Sequence, residues 1–386
     1  MKTIKILNLV PGLDSGGIEH VLLNYYQKMD RQLIHFDFAI FKDNIGKDGK
    51  EFVKMGSKVF FLPPKSRGLK NYSRELYKIL IQEQYDIVHA HQSYMAWIPL
   101  YIAKRAGVKV RIAHSHTTMT DFLTFKYKAY RILGLYGNRY FATHKMACGQ
   151  EAGKYVFGKK YFNKGKVIVL PNAINLDDFD FNDSRRKRVR AEMGWERKFI
   201  IGNVGRLSEE KNQSFLLQLL KEIMLRNKRA LLVMVGNGPL EKELLEKAIA
   251  LGVEEHVEFL GQRNDVHNLL QAFDVFVLPS YREGLPVTGV EAITSGLDCI
   301  FSTGVPSELA FCSQVRHISL NEPRMWIDAI LETEKRSLAR KGNKELMKRY
   351  GFDIIVASKW LQEFYINAVA QASISPKGNS FRGQTL

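Results

Sequence analysis

Short apolar runs typical of strands alternate with segments of helical periodicity, and the alternation occurs in two sets along the 386 residues. The first set of strand-like runs comprises Ile4–Val10, Phe36–Phe41, Lys58–Leu62, Ile87–His91, Val110–His114, Lys145–Ala147 and Val167–Leu170. The second comprises Phe199–Val204, Leu231–Val235, Val257–Leu260, Val275–Leu278 and Cys299–Ser302. Alternation of this kind is typical of parallel sheets covered by helices on both faces. The sequence therefore predicts an α/β protein with two doubly wound, Rossmann-like domains.

A polar, Asp-rich seam at Pro171–Asp183 separates the two sets of strands. The predicted domains are therefore residues 1–171 and 172–353. Ligands of doubly wound folds bind outside the carboxyl ends of the strands. We therefore expect a ligand-binding cleft between the two domains.

The net charge of +17 is distributed unevenly between the two halves of the chain. Residues 1–175 contain 28 Lys and Arg against 12 Asp and Glu, whereas residues 176–386 contain 29 against 28. A basic domain beside a neutral one predicts an anionic partner for the first half. A bilayer surface, a phosphate-bearing polymer and a nucleic acid all satisfy this expectation.

Residues 122–166 concentrate this positive charge, with ten basic side chains and one acidic side chain, Glu151. Aromatic residues and leucines are interleaved with them, a composition that suits a helix lying at a lipid headgroup interface. A solvated helix whose aromatic residues face the core is an equally good interpretation. No stretch approaches the roughly 20 apolar residues of a membrane span, and three cysteines without metal-ligand spacing indicate a reducing compartment. We therefore expect a cytoplasmic protein.

Three glycine-bearing turns follow predicted strands. Gly16 and Gly17 follow the first strand, and the backbone of such a turn can approach an anion at a helix N-terminus, although a plain tight turn explains the pattern as well. Gly205 is followed by Arg206 and Lys211 ahead of a predicted helix, where two cations suit a bound diphosphate. The alternative is that Glu209 and Glu210 pair with these cations on the surface. The third turn contains Gly236, Asn237 and Gly238.

Two glutamates accompany a loop that follows the strand Val275–Leu278. Glu283 lies in the loop, and Glu291 lies about one turn into the helix expected to begin near Val287. Carboxylates accept hydrogen bonds from hydroxyl groups, so this pair suits a sugar and a ribose. The alternative interpretation is a capping acid and a surface acid.

Taken together, these motifs resemble those of the retaining GT-B glycosyltransferases related to glycogen synthase. The resemblance rests on Ser15-Gly-Gly, Gly205-Arg with Lys211, the Gly236-Asn-Gly-Pro turn, and Glu283-Gly-Leu-Pro with Glu291. It covers nearly the whole chain. The stretches beginning at Arg111 and Ala142 are similar to those of bacterial exopolysaccharide and capsule glycosyltransferases. The resemblance implies that the C-terminal segment 354–386 joins the first domain.

The resemblance also implies roles for individual residues. Arg206 and Lys211 would bind the donor pyrophosphate, and Glu291 would bind the ribose. Glu283 would hold the donor sugar, with the backbone of Gly284, Leu285 and Pro286. The remaining donor contacts would come from Gly16, Gly17, Gly205, Gly236, Asn237 and Gly238. His116 would touch the sugar, with His114 as the neighbouring candidate, and either residue is equally consistent with a structural role.

The implied activity is that of a retaining hexosyltransferase with a nucleotide-sugar donor, expected to be a UDP-sugar. The leaving diphosphate would be stabilised electrostatically, so neither a metal nor another cofactor is expected. The expected acceptor is a lipid-linked saccharide, at which the protein would associate peripherally with the inner face of the membrane through Phe122–Lys166 and Lys65–Lys78. The alternatives are a nucleotide-sugar 2-epimerase and a non-enzymatic binder of anionic polymers. No nucleic-acid-binding module is recognisable, and so no nucleic-acid partner is expected.

Overall fold

The computed structural model describes residues 2–14, 16–42, 45–64, 68–118, 125–334 and 340–374, with residues 125–128 described by their backbone alone. The chain divides into two compact units. Unit 1 contains the residues up to Ala173 together with those from Asp353 onward, and unit 2 contains Ile174–Phe352. Within the described ranges, no helix is both long enough and apolar enough to cross a membrane.

Unit 1 is built on a parallel sheet of seven strands within the described residues, in the order β3-β2-β1-β4-β5-β6-β7. The strands are β1 (Ile4–Leu9), β2 (Ile34–Ile40), β3 (Val59–Phe61), β4 (Ile87–Ala90), β5 (Val110–Ser115), β6 (His144–Ala147) and β7 (Ile168–Val169). The intervening helices are α1 (Gly17–Gln27), α2 (Lys47–Lys54), α3 (Leu69–Glu83), α4 (Trp97–Arg105), α5 (Phe125–Phe141), α6 (Gln150–Phe157) and α7 (Lys159–Asn163). The C-terminal helix of the chain, α16 (Ile354–Ile374), also belongs to this unit.

Unit 2 contains a six-stranded parallel sheet in the order β10-β9-β8-β11-β12-β13, counted over the described residues. Its strands are β8 (Phe199–Val204), β9 (Ala230–Val235), β10 (Val257–Phe259), β11 (Val275–Leu278), β12 (Asp298–Ser302) and β13 (Val315–Ile318). Its helices are α8 (Leu176–Phe179), α9 (Asp183–Glu192), α10 (Gln213–Arg226), α11 (Glu241–Leu251), α12 (Val266–Ala272), α13 (Val287–Thr294), α14 (Pro323–Thr333) and α15 (Lys344–Arg349).

Two doubly wound parallel sheets confirm the predicted fold class. All twelve predicted strands are present, with ends that differ by at most two residues. The sequence analysis missed β13, a strand at the edge of its sheet. Its sequence, Val-Arg-His-Ile, lacks the continuous apolar run of a central strand, because three of its four residues are only partly buried. The pattern that predicted the other strands is therefore absent.

Both sheets reverse their strand order beside their first strand, between β1 and β4 in unit 1 and between β8 and β11 in unit 2. At such a reversal the loops that follow the two strands turn to opposite faces of the sheet and leave a crevice at their carboxyl ends. The loops after β8 and β11 contain Arg206, Lys211 and Glu283. The topology of unit 2 thus brings the predicted donor residues to one crevice.

A buried charge cluster attaches α9 to the strands of unit 2. Asp274, just before β11, forms ion pairs with Arg186 and Arg190, and Arg190 Nη1 lies 3.1 Å from the Asp274 carboxylate. The same carboxylate accepts the backbone N–H of Ile200 at 2.7 Å. The Asp274 side chain is only 5% exposed. Two of the basic residues of α9 therefore have structural partners in the interior.

We predict that Asp274→Ala lowers the free energy of unfolding of unit 2 by about 3–5 kcal/mol, because it leaves two buried guanidinium groups without their counter-charge. Chemical denaturation followed by circular dichroism measures the change. The control is Asp328→Ala, which removes an ion pair to Arg226 whose two side chains are 59% and 57% exposed. That substitution should change stability by less than about 1 kcal/mol. Equal effects of the two substitutions would contradict the assignment.

Candidate active site

The loop after β8 carries two cations of the candidate site. It crosses from Gly205 to a single 3-10 turn, Glu209–Lys211, before α10 begins at Gln213. Asn212 adopts a left-handed conformation, φ 54°, between the two helical segments. The buried Gln213 side chain donates a hydrogen bond to the Arg206 carbonyl at 3.0 Å. Lys211 therefore lies just before α10, on a loop whose backbone is fixed by the hydrogen bond from Gln213.

The loop after β11 meets the Lys211 side chain. Lys211 Nζ lies 2.5 Å from Glu283 Oε1, and the two side chains are 25% and 10% exposed. The Ser280 hydroxyl donates to the same carboxylate oxygen at 2.7 Å. The Glu283 backbone N–H donates to the Gly304 carbonyl at 3.1 Å. A largely buried ion pair thus joins the two loops that flank the crevice.

Surface pairing of the neighbouring glutamates with Arg206 and Lys211, the alternative interpretation, is wrong for this chain. Glu210 pairs with Arg282, and the Tyr281 N–H donates to the Glu210 carbonyl at 2.9 Å. Arg206 is exposed, and its guanidinium forms no hydrogen bond or ion pair with the part of the chain that the structure describes. The crevice therefore has one cation in an ion pair and one without a protein partner.

The turn that contains Gly236 and Gly238 packs against the loop after β8. A Cβ atom at Gly236, where φ is 131°, would lie 2.1 Å from the Gly205 carbonyl oxygen. A Cβ atom at Gly238 would lie 2.1 Å from the Leu207 carbonyl oxygen, and Leu207 donates its N–H to the Asn237 carbonyl at 2.9 Å. Side chains at these glycines would separate the two loops. The two glycines thus allow the turn to pack closely against the loop that carries Arg206, and they fix the shape of that loop.

Glu291 lies in the interior of unit 2, on the first turns of α13. It is 5% exposed, and burial raises the pKa of its carboxyl group to about 7. Within the described residues its carboxyl group has no hydrogen-bond partner and no ion pair. Pro286 precedes the helix, with Leu285 buried and Gly284 partly buried in the connecting loop. A buried carboxyl group without a donor is costly unless a ligand supplies one.

The glycine turn of unit 1 leads into α1, with Gly16 as the residue before the helix and Gly17 as its first residue. Ser15, part of the same motif, lies outside the described residues. A Cβ atom at Gly16 would meet Glu19 Oε2 at 2.4 Å, whereas Gly17 is open to solvent. Burial raises the pKa of Glu19 to about 7. Sequence analysis missed Glu19 because a glutamate in the first turn of a helix is common.

Four histidines form one cluster at the carboxyl ends of β4 and β5, which we call the histidine array: His89, His91, His114 and His116. His91 Nδ1 lies 2.9 Å from His116 Nε2, and His89 Nε2 lies 3.1 Å from His114 Nδ1. His114 is 3% exposed, whereas His116 is only partly buried. Of the two predicted candidates, a ligand therefore reaches His116 more readily.

Burial lowers the pKa of all four imidazoles, that of His116 to about 3 and the others well below their usual value. They are therefore neutral at physiological pH. Sequence analysis named only His114 and His116. The missed signal is the repeated His-x-His pattern at the ends of two strands, because residues two apart on a strand share one face of the sheet.

Two family models match the chain, one for each half. The model described as "Glycosyltransferase Family 4" matches residues 15–178, and "Glycosyl transferases group 1" matches residues 185–335. The protein EpsF of Bacillus subtilis (strain 168), named as a glycosyltransferase, is 34% identical over 360 residues, which cover 90% of this chain and 93% of EpsF.

A second relative has a more specific name. The "UDP-Gal:alpha-D-GlcNAc-diphosphoundecaprenol alpha-1,3-galactosyltransferase" of Escherichia coli is 26% identical over 92% of this chain and 94% of its own length. Among solved structures, Anabaena HepE in complex with UDP-glucose superimposes with a TM-score of 0.76 at 18% identity, over 94% of this chain and 100% of HepE. At that identity the superposition supports the fold.

Proposed function

The chain belongs to the GT-B glycosyltransferases related to glycogen synthase, and we propose that it transfers a hexose from a UDP-sugar to a lipid-linked saccharide with retention of anomeric configuration. The donor binds in the crevice of unit 2 beside β8 and β11. One observation carries this proposal. Two cations lie on the loop after β8, beside the crevice: Arg206, which has no partner among the described residues, and Lys211, which is paired with Glu283 on the loop after β11.

These cations suit a leaving nucleoside diphosphate. Negative charge accumulates on the diphosphate as the bond to the sugar breaks, and fixed cations stabilise that charge without reorganisation in the transition state. Glu283 holds the Lys211 ammonium group in place while no donor is bound. In the donor complex the diphosphate oxygens become partners of Arg206 and Lys211. The first amides of α13 add a partial positive charge at the same edge of the sheet.

The two carboxyl groups divide the recognition of the donor's hydroxyl groups. Glu283 lies beside Lys211 and accepts hydroxyl groups of the sugar, close to the breaking bond. Glu291 is the buried carboxyl group that has no donor among the described residues, and two ribose hydroxyl groups supply the hydrogen bonds that it lacks. Binding of these donors favours the ionised carboxylate and so lowers the pKa of Glu291 in the complex.

The assignments in unit 1 stay predictions of the sequence. They are donor contacts from Gly16 and Gly17, a sugar contact from His116, and transfer without a metal or other cofactor. In the retaining reaction proposed here, the acceptor hydroxyl attacks from the side of the departing phosphate, which takes the proton. The similarity of the stretches at Arg111 and Ala142 to bacterial exopolysaccharide and capsule enzymes supports a place in the synthesis of such polymers. The name of the Escherichia coli relative supports a diphosphate-linked lipid acceptor.

An exposed apolar surface on α5 suits such an acceptor. This α5 surface consists of Ile132, Leu133, Tyr136 and Tyr140, which are 54%, 57%, 65% and 70% exposed. At about 100° per residue, the four side chains fall within roughly 100° of the helix circumference. Basic groups border them, since the Arg139 guanidinium lies 5.8 Å from the Tyr136 ring centroid.

Lys104 Nζ lies 4.6 Å from the ring centroid of Tyr140 at the other end of the α5 surface. Apolar side chains bordered by cations bind at the headgroup interface of an anionic membrane. We therefore propose peripheral membrane association through this surface. Residues 122–124 and 65–67 of the predicted membrane-binding segments lie outside the described residues.

We predict that Lys211→Ala lowers kcat/KM for sugar transfer by roughly 10²–10³-fold, the loss expected when one electrostatic contact to the transition state is removed. Transfer is measured with radiolabelled UDP-sugars and an undecaprenyl diphosphate saccharide. Arg226→Ala, which removes an exposed cation of the same unit paired with Asp328, is the control and should leave the rate unchanged. Near-normal turnover of a folded Lys211→Ala protein would reject the site.

We predict that UDP binds less tightly as the pH falls through about 7, the pKa to which burial raises Glu291. Protonation removes the charge that accepts the ribose hydroxyl groups, so affinity should fall by up to about tenfold per pH unit below that pKa. Calorimetric titration measures the dissociation constant at each pH. The Glu291→Gln protein is the control, because it shares the titration of the diphosphate but lacks that of the carboxyl group. Parallel pH curves for the two proteins would contradict the assignment.

We predict that the protein co-sediments with vesicles that contain an anionic lipid and is released by salt, because the attraction is partly electrostatic. Serine at both Tyr136 and Tyr140 should reduce the bound fraction severalfold. The control carries serine at Leu225 and Ile249, which are 70% and 63% exposed in unit 2. Binding that does not respond to salt, to lipid charge or to the tyrosine substitutions would contradict the proposal that the α5 surface binds the membrane.

A further inference from the structure

The close spacing of the histidine array has two physical explanations. His89, His91 and His114 offer nitrogen atoms within 4.8 Å of one another, a spacing that a shared cation would also produce. However, no carboxylate of the described residues forms a hydrogen bond or ion pair with these imidazoles, so a buried divalent cation would lack a counter-charge. Hydrogen bonds between neutral rings explain the same spacing without that cost.

The hydrogen bonds form a chain with a definite direction. In the amide orientation assigned to Asn8, His91 Nε2 lies 3.3 Å from Asn8 Oδ1, a carbonyl oxygen that only accepts, so His91 carries its proton on Nε2. Because a neutral imidazole has a single N–H, His91 Nδ1 is an acceptor. His116 Nε2, at 2.9 Å, must therefore donate to it. The proton of His116 thus resides on Nε2, and its Nδ1 carries a lone pair.

We propose that Asn8 and His91 are positioning residues that hold His116 in its Nε2–H form, so that His116 Nδ1 accepts a hydrogen bond from a substrate hydroxyl group. This inference rests on the proposed transfer reaction. It also narrows the substrate class. A hydroxyl group satisfies this lone pair, whereas a carboxylate, a phosphate or a carbonyl oxygen at the same place opposes it. The sugar unit that contacts His116 therefore carries a free hydroxyl group there.

Two features of Asn8 support a functional role. It lies on β1, is fully buried, and its amide nitrogen Nδ2 has no hydrogen-bond partner among the described residues. An unpartnered buried N–H group destabilises the folded state. Apart from the acceptor role of Oδ1 toward His91, the structure assigns this side chain no other hydrogen bond. Asn8 thus retains a group that is unfavourable for stability beside a predicted sugar contact.

The first test reads the protonated nitrogen directly. The ¹⁵N chemical shifts of labelled histidines distinguish a protonated from an unprotonated ring nitrogen, and the His116→Gln protein assigns the His116 signals. We expect unprotonated Nδ1 and protonated Nε2 at His116 in the wild type, and a mixture of both forms in Asn8→Leu. Protonated Nδ1 in the wild type, or shifts that Asn8→Leu leaves unchanged, would overturn the proposal.

The second test separates positioning from a purely structural role. Asn8→Leu removes the unpartnered N–H but also the acceptor of the His91 Nε2–H, and because these two changes oppose each other we expect little change in Tm, with kcat/KM lowered on the order of tenfold. Asn8→Asp keeps the acceptor oxygen and should retain more activity than Asn8→Leu at pH 8. A lower Tm together with unchanged kcat/KM in Asn8→Leu would show that Asn8 is only structural.

The transfer activity of the Asn8→Asp protein should also depend on pH in a way that the wild-type activity does not. The groups that face His116 and His91 are the neutral imidazoles of His89 and His114, with the Tyr365 hydroxyl bonded to His89 at 2.8 Å. A carboxylate introduced among them favours the imidazolium form and raises the pKa of the neighbouring imidazole. As the pH decreases, activity should therefore begin to fall at a higher pH than in the wild type. Superimposable pH profiles of the two proteins would contradict the chain of hydrogen bonds.

Failure of this inference differs from failure of the proposed function. If the wild type transfers no sugar from any UDP-sugar, the transfer proposal fails, while the ¹⁵N measurement still decides the form of His116. If transfer occurs and UDP stabilises the wild type and Asn8→Leu proteins equally, unit 2 is intact in both. A loss of activity in Asn8→Leu is then caused by the change in the histidine array and not by a defect in donor binding.

Discussion

The ion pair between Lys211 and Glu283 is the interaction on which the candidate site depends. It joins the loops after β8 and β11, two strands that are neighbours in the sheet although a β-α-β unit separates them in the chain. Because it is largely shielded from water, it is stronger than an exposed pair and leaves less freedom to both side chains. It therefore prepares a cation, a carboxylate and an unpartnered Arg206 at one crevice before any ligand binds.

Near the carboxyl ends of both sheets lie polar groups that have no partner among the described residues. In unit 2 they are the exposed Arg206 guanidinium and the buried Glu291 carboxyl group, and in unit 1 the Asn8 amide nitrogen and His114 Nε2. Folding alone disfavours the buried members of this set, because each loses water without gaining a hydrogen bond. Their position at the edges where doubly wound folds bind ligands is consistent with a site whose hydrogen bonds are completed by substrate.

The sequence predicted the strands well, for a local reason. Strands that are buried on both faces are continuous apolar runs, and the motifs around Arg206 and Glu283 directly follow such runs. The prediction failed where the local pattern is weak, as in β13. It also gave no indication of the ion pairs, since Glu210 lies one residue from Lys211 yet pairs with Arg282, and Lys211 pairs with Glu283, 72 residues away.

The sequence by itself determined the fold class and the family, and it predicted the residue types of the candidate site, because strand periodicity and motif spacing are properties of short segments. Only the tertiary structure decided which charges pair, which carboxyl group is buried, and that His91 and Asn8 lie behind His116. Those facts depend on the register between β1, β4 and β5, which places side chains distant in sequence on one face of a sheet. Hydrogen-bond direction and pKa follow from that proximity and from burial, which no local pattern of residues encodes.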